Sequence, residues 1–352
     1  MIPIQNLFYL LLYAWDALDE AGILAITAEP ETQLLDLLAA VLNRGIDCLL
    51  RRGLDRNYLS QRDAIPGIRG KLDLTGTIKP NLLSRAQAVC EFDEFSHDVL
   101  HNRILKATLR RLLKTRRLDS RLRHPIRATY HRLHEVADIP LTLRAFRAVH
   151  LHRNNRIYRF LIDVCLLLYH CLMPDEATGE LRFRSFVRDE RRMRGLFERF
   201  VRNFLRREQA YFHVATESLC WEQTTGSLTD LAYLPSMRTD VTLRRPGQTL
   251  VIDAKFYREP LQQHHDRWTV RSGHLYQLFT YLRNLAARGQ AAAEIDGLLL
   301  YPQASRVLDL TYHIHGHCIR VRTIDLKQPW TQIHNDLLAL LPVAASSTSA
   351  LS

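Results

Sequence analysis

The sequence has no pair of cysteines spaced as a CxxC. Its six cysteines, Cys48, Cys90, Cys165, Cys171, Cys220 and Cys318, are scattered over 352 residues. That scatter excludes a zinc ribbon and argues against a disulfide framework. Several sit in apolar runs, where a reduced, buried thiol is expected. No apolar run is long enough to span a bilayer. The N-terminal LFYLLLYAW falls well short of the ~20 residues a crossing helix needs, and it lacks the basic flank and small-residue cleavage site of a secretory signal. A cytoplasmic protein without membrane partners is expected. No G-x-x-x-x-G-K-[ST] phosphate loop occurs; IPGIRGKLD comes nearest and has the wrong spacing. No nucleotide site is expected in this chain, and any motor activity must come from another. Internal repeats and long linkers are absent as well.

What is present is a basic, globular chain. Lys and Arg number 48 against 37 Asp and Glu, for a net charge of +11, and 47% of the residues are hydrophobic. The length suits two domains. The charge favours a polyanionic partner, nucleic acid first. Helical spacing is read at Gln5–Asp19, Glu31–Leu54, Asn102–Leu118, Ser120–Val136 and Ile157–Leu172. Between Arg56 and Glu94 the period shifts, and IRGKLDLTGTI and QAVCEFDEF alternate as strands do. Past MPDEATGE (173–180), the best candidate for a boundary, the order changes. A helix MRGLFERFVRNFLRRE precedes strands YFHVATE, MRTDVTLRR and TLVIDAKFY. Then come a helix HLYQLFTYLRNLAAR, strands IDGLLLYP, RVLDLTYHI and CIRVRTIDL, and a last helix near Thr331–Leu341. The expected division is 1–178, 179–342 and a small, polar, disordered tail at 343–352.

TLVIDAKFY poses the chemical question, because it sets Asp253 and Lys255 on one face of an apolar strand. Unpaired buried charge is expensive. A structural ion pair is one account and a metal-dependent site the other. Asp240, in MRTDVTLRR, favours the second. If the RRPGQ turn is centred between Pro246 and Gly247, Asp240 stands opposite Asp253, with β-carbons roughly 5 Å apart. Two adjacent carboxylates repel unless a cation lies between them or one keeps a proton. Mg²⁺ takes hard oxygen ligands and works with one or two carboxylates plus phosphate. Lys255 on the same face would orient water or stabilise charge on phosphorus oxygens.

An Asp, a second Asp and a Lys on a hairpin between two helices resemble the PD-(D/E)xK nucleases, with Thr239 where that name has Pro. The resemblance implies that Asp240 and Asp253 hold Mg²⁺ (or Mn²⁺) and that Asp240, Asp253 and Lys255 are catalytic. Glu198 on the preceding helix matches an acidic position near the metal, against the plainer account of a solvated helix residue. Gln277 and Tyr281 match a QxxxY element, against ordinary helix packing. Arg191, Arg192 and Arg194, which open the Glu198 helix, could touch DNA, with a solvated face the plainer account; His264 and His265 are further candidates for phosphate contact. In HIHGHC (313–318), a hairpin turning at Gly316 is expected, with a zinc site on His313 and His315 the alternative.

Over nearly the whole chain, IPIQNLFYLLLYAWD, IPGIRGKLDLTGTI, FDEFSHDVLHNRILKATL, MRTDVTLRRPGQTLVIDAKFY and LYQLFTYL together resemble the McrC family, nuclease subunits of McrBC modification-dependent restriction systems. The resemblance implies an α+β to α/β chain: a mixed helical and β partner-docking region, then a restriction-endonuclease-like domain with a mixed central sheet flanked by helices. It implies an McrB-like AAA+ GTPase ring as partner, stimulation of GTP hydrolysis, cleavage of methylated double-stranded DNA, and dimerisation that bridges two motor rings. Two other functions stay open from the residues alone. One is a docking activator of the motor that cuts little or nothing; the other is a stand-alone repair nuclease.

Overall fold

The computed structural model describes residues 2–24, 33–78, 82–152, 155–174, 181–183, 186, 189–222, 224–257, 259–264, 267–288 and 294–342. The tail at 343–352, most of the MPDEATGE loop and His265 lie outside the described residues, as does the side chain of His264. The chain forms two compact units, one chiefly from Met1–Asp19 and Ser185–Ser352, the other chiefly from Thr32–Arg184.

In the unit from Thr32–Arg184, the helices Leu34–Arg52, Leu100–Leu113, Ser120–Arg132 and Arg156–Cys171 bury their apolar stripes against one another. Gly45 makes one close approach possible: a Cβ there would stand 2.3 Å from Leu161 Cδ2. A three-stranded antiparallel sheet carries Gln87–Ser96 in the middle, between Asn57–Pro66 and Lys71–Leu72. At its base, Asn102 donates to the carbonyls of Asp55 and His97 and accepts from Tyr158 Oη, and Asn155 donates to Asp55. One expectation fails here. LDLTGTI was read as strand, yet Leu74–Ile78 is a short helix. Asp73 accepts from Gly76 N at 3.0 Å, and Thr77 Oγ1 donates back to the Asp73 carbonyl. Local side-chain bonding of this kind outcompetes an alternating pattern.

The other unit is built on a six-stranded mixed sheet. Its order is Asp309–Ile314, His317–Ile324, Glu294–Pro302, Gln248–Ala254, Val241–Arg245, His213–Ala215. Gln248–Ala254, Glu294–Pro302 and His317–Ile324 run parallel, and the outer pairings are antiparallel. Helix Ser272–Ala287 makes the crossover between the first two parallel strands, as a parallel pair requires. Its Leu278, Tyr281, Leu282 and Leu285 pack on Val251, Leu299, Tyr301 and Val321. By strand alternation Leu250, Ile252, Ala254 and Phe256 face the other way. There Phe197 of helix Glu190–Glu208 meets Phe256 at 6.0 Å between ring centroids. The sheet is thus covered on both faces, as its nearly continuous apolar strands demand.

The first helix belongs to this unit, which corrects the expected division at its start. Ile4–Trp15 lies along Glu190–Glu208. Tyr13 Oη donates to Glu208 Oε1 at 2.7 Å, Asn203 donates to the Tyr13 carbonyl, and Tyr9 stacks on Trp330 at 4.6 Å. Asn6 donates to the carbonyls of Leu326 and Gln328. HIHGHC is a hairpin turning at His315–Gly316, both with positive φ (49° and 82°). His317 is buried and its Nδ1 lies 2.7 Å from the Ile295 carbonyl. Among the described residues no group of three or more His, Cys, Asp or Glu side chains gathers to hold a metal, there or elsewhere.

Candidate active site

Gln248–Ala254 is the strand that organises the site. It lies centrally, with an antiparallel neighbour on one side and a parallel one on the other. Ligands of open mixed sheets gather beyond the carboxyl ends of such strands. Its pairing with Val241–Arg245 runs from Gln248 opposite Arg245 to Ile252 opposite Val241. The next step of that register sets Asp253 opposite Asp240. The backbone ladder ends there, and Asp240 Oδ2 instead accepts from Ala254 N at 3.0 Å. Lys255, just past the strand, is anchored by its N–H to the Leu300 carbonyl at 2.9 Å.

Alternation then turns Asp253 and Lys255 to the same side. Lys255 Nζ donates to Asp253 Oδ1 at 2.9 Å and stands 3.9 Å from Asp240 Oδ2. Asp253 is 1% exposed and Lys255 8%. Burial, more than the ammonium beside it can offset, pushes the Asp253 carboxyl up to about 7, and the Asp240 charge adds to the rise. Asp240 is raised too, first by burial. Without a cation the buried pair therefore keeps a proton well above the usual carboxylate range. Lys255 is raised above the ordinary lysine range, its carboxylate neighbours outweighing burial.

Glu198 is half-buried on helix Glu190–Glu208, its carboxyl raised first by burial and then by the charge of Asp240. Gln277 Nε2 donates to Tyr281 Oη at 2.7 Å. Tyr281 is buried in the apolar cluster, and its phenol is raised first by burial, with the charge of Asp253 contributing. The structure therefore brings all six candidate residues to one region of the sheet. Of the arginines that open the Glu198 helix, Arg191 and Arg192 are exposed, and Arg192 pairs with Asp189 at 3.0 Å. Arg194 turns inward, 4.6 Å from the Tyr257 ring centroid.

The donor set fits a hard divalent cation. Asp253 Oδ2 is buried with no hydrogen-bond partner, an unsatisfied carboxyl oxygen beside a second carboxyl. Such an arrangement is costly unless something positive meets it. Two carboxylates without a closed protein cage match Mg²⁺, which keeps several of its waters.

A family model described as McrBC 5-methylcytosine restriction system component matches residues 5–302. The chain belongs to that family. It is 35% identical over 338 residues to the type IV methyl-directed restriction enzyme EcoKMcrBC of Escherichia coli strain K12, covering 96% of this chain and 97% of that one. Among solved structures it is similar to a Thermococcus gammatolerans chain described as a refined half-complex from a tetradecameric assembly of McrB AAA+ hexamers with bound McrC. The TM-score is 0.56 at 19% identity, over 96% of this chain and 76% of that one. A second structure, of the McrBC complex from the same organism, matches at a TM-score of 0.41 and 23% identity over 60% of each chain. The likeness to the first is one of fold.

Four residues of this McrBC family member escaped the sequence reading: Tyr257, Arg271, His274 and Tyr301. Tyr257 stands two residues beyond Lys255, so the alternation that paired Asp253 with Lys255 reaches it too. His274 Nδ1 lies 2.8 Å from Tyr301 Oη, and its ring is 4.8 Å from that of Tyr257. Burial, then the charges of Lys255, Arg271 and Arg194, hold His274 down to about 4. It is neutral at neutral pH.

Proposed function

We propose that the protein is the DNA-cutting subunit of a modification-dependent restriction complex, a Mg²⁺-dependent endodeoxyribonuclease working with an AAA+ GTPase partner. The observation that carries this reading is the Asp240–Asp253 carboxyl pair with Lys255 Nζ at the end of the central strand. Membership of a 5-methylcytosine restriction family supports the substrate class.

Asp240 and Asp253 would hold Mg²⁺, with Mn²⁺ as a substitute, and Glu198 adds a third carboxyl nearby. A cation bound there supplies Lewis-acid polarisation of the phosphate and a lower pKa for attacking water. Lys255 does two things from one position. It holds Asp253 in place through the 2.9 Å contact, and its charge favours negative charge developing on phosphate oxygens. The Gln277–Tyr281 hydrogen bond fixes the wall of the site contributed by helix Ser272–Ala287.

The partner reading rests on family and fold. The similar archaeal structure is of McrB AAA+ hexamers with bound McrC, and this chain takes the place of McrC. We assign ring docking and GTPase stimulation to the unit from Thr32–Arg184. The tetradecameric form named for the archaeal assembly supports a dimer that joins two rings. A DNA substrate and a GTP-consuming partner support a cytoplasmic site of action. No helix among the described residues is long and apolar enough to cross a membrane.

The test is cleavage of methylated plasmid with Mg²⁺ and GTP, with and without the cognate ring, comparing wild type with Asp253→Ala and following GTP hydrolysis in the same tubes. Cleavage should need the ring and vanish in the variant, while GTPase stimulation persists. An Asp253→Ala variant that cuts like wild type would leave the docking activator as the better account. Cutting without any partner would favour the stand-alone nuclease.

A further inference from the structure

Helix Glu190–Glu208 presents Arg194, Glu198 and Arg202 at four-residue intervals, one stripe with a step of about 6 Å. Glu198 is the middle residue. Its carboxyl feels both Asp240 and Lys255, so the stripe runs past the carboxyl pair with an arginine one turn to either side. Neither arginine has a carboxylate partner among the described residues, although Glu198 is one turn from each. Arg194 Nε is buried without a hydrogen-bond acceptor. Among the described residues Arg202 donates to Thr216 Oγ1, at 3.2 Å. Burial, then the charges of Arg206, Arg199 and Arg238, hold its guanidinium below the ordinary arginine range, against an opposing pull from Asp240.

A third arginine joins from another element. Arg271, just before helix Ser272–Ala287, lies 4.9 Å from the Tyr257 ring centroid, and Arg194 lies 4.6 Å from the same centroid. Among the described residues Arg271 donates to the Glu259 carbonyl. Tyr257 thus gathers two guanidinium groups two residues past Lys255. Two other guanidinium groups of this unit are paired directly, Arg244 with Glu217 at 2.6 Å and Arg288 with Glu222 at 2.7 Å. Part-buried positive charge without a directly paired carboxylate is unfavourable in the free protein, and its fork geometry matches phosphate.

We propose that Arg194, Arg202 and Arg271 are the phosphate-holding residues of this site, gripping the DNA backbone to either side of the phosphodiester that faces Asp240, Asp253 and Lys255. The proposal rests on the nuclease reading and adds the residues that position its substrate. Tyr257 orients two of the three, by holding their guanidinium groups on its ring. The grip is to backbone, so it carries no base preference.

The test measures binding of the full chain to a labelled DNA duplex in EDTA over a salt series, where cutting cannot interfere. Each of Arg194→Ala, Arg202→Ala and Arg271→Ala should weaken binding about three- to tenfold and reduce the slope of log K against log salt by ~0.9. The Arg→Lys versions should keep the slope, since charge alone sets it. Arg288→Ala, which removes a neutralised arginine, should leave the slope at the wild-type value. Asp253→Ala, assayed separately with Mg²⁺ and the ring, should fail to cut. If Asp253→Ala cuts, the nuclease reading falls, whereas the arginine result is read from binding alone. The proposal is overturned if the wild type shows no salt-dependent binding, or if all three alanine variants keep wild-type affinity and slope. Weaker binding with an unchanged slope and a lower melting temperature would also overturn it, by making the role structural.

Discussion

Asp253 shows how much of this site is a matter of one side chain in an unfavourable place. An unfolded chain releases an Asp proton near pH 3.9, whereas folded, cation-free Asp253 keeps its proton to about 7. Between those values the folded state binds more protons than the unfolded one, so the contribution of this group to stability falls as pH rises. Lys255 stays positive throughout that window and opposes the effect only in part. In chelator, wild type should therefore lose stability relative to Asp253→Asn from about pH 4 to about pH 7, by a few kcal/mol. Above that the difference should level off. Urea melts of both proteins across the range would measure it, and a flat difference would mean that Lys255 alone neutralises the carboxylate. Mg²⁺ at pH 8 should raise the melting temperature of wild type and leave that of Asp253→Asn nearly unchanged. At this scale the sequence was informative because strand alternation and one hairpin register suffice to bring Asp240, Asp253 and Lys255 together. Tyr257, Arg194 and Arg271 were harder to see, since their meeting joins a strand end, a helix and a loop that no local period connects.

At the scale of elements, close approach matters as much as pattern. Gly297 lies opposite Val251 in the parallel ladder, and a Cβ there would come within 2.9 Å of Leu278 and 3.0 Å of Leu282. The crossover helix rests on that strand because the glycine leaves room for both leucines. Gly45 does the same for Leu161 more tightly, at 2.3 Å, in the middle of helix Leu34–Arg52. Alanine is the better helix former by up to ~1 kcal/mol, yet overpacking a fully buried leucine costs about 1–3 kcal/mol. Gly45→Ala should thus be net destabilising, and Leu161→Ala in the same chain should recover part of the loss. A double-mutant cycle by chemical denaturation reads that coupling. Purely additive losses would show that Leu161 moves aside at no cost. Most element types and their order were legible from hydrophobic period. Leu74–Ile78 was not, because its helix depends on Asp73 and Thr77 bonding to the backbone rather than on any apolar stripe.

For the whole molecule, the informative feature is that the chain begins in one unit, builds the other and returns. The apolar opening read as a helix, but nothing local could show which unit it would complete. Its partners lie nearly two hundred residues or more away: Tyr13 with Glu208 and Phe204, Tyr9 with Trp330, Asn6 with the carbonyls of Leu326 and Gln328. Leu10 and Leu11 are fully buried. A fragment cut at the apparent boundary, residues 185–342, would keep the sheet and every candidate catalytic residue, yet lose that helix. It would expose the face of Phe200 and Phe204 that the helix covers, and leave Glu208 without its Tyr13 hydrogen bond. Several large side chains at about 2–4 kcal/mol each, and roughly 2–4 °C per kcal/mol for a chain of this size, imply a fall of at least ~10 °C in melting temperature. Joining residues 1–19 to that fragment through a flexible linker should restore most of it, because the contacts depend on proximity rather than on the intervening chain. Circular dichroism melts of the two fragments would decide. Equal melting temperatures would mean that the sheet and its flanking helices fold without the N-terminal segment, and that the first helix is a passenger on a unit already complete.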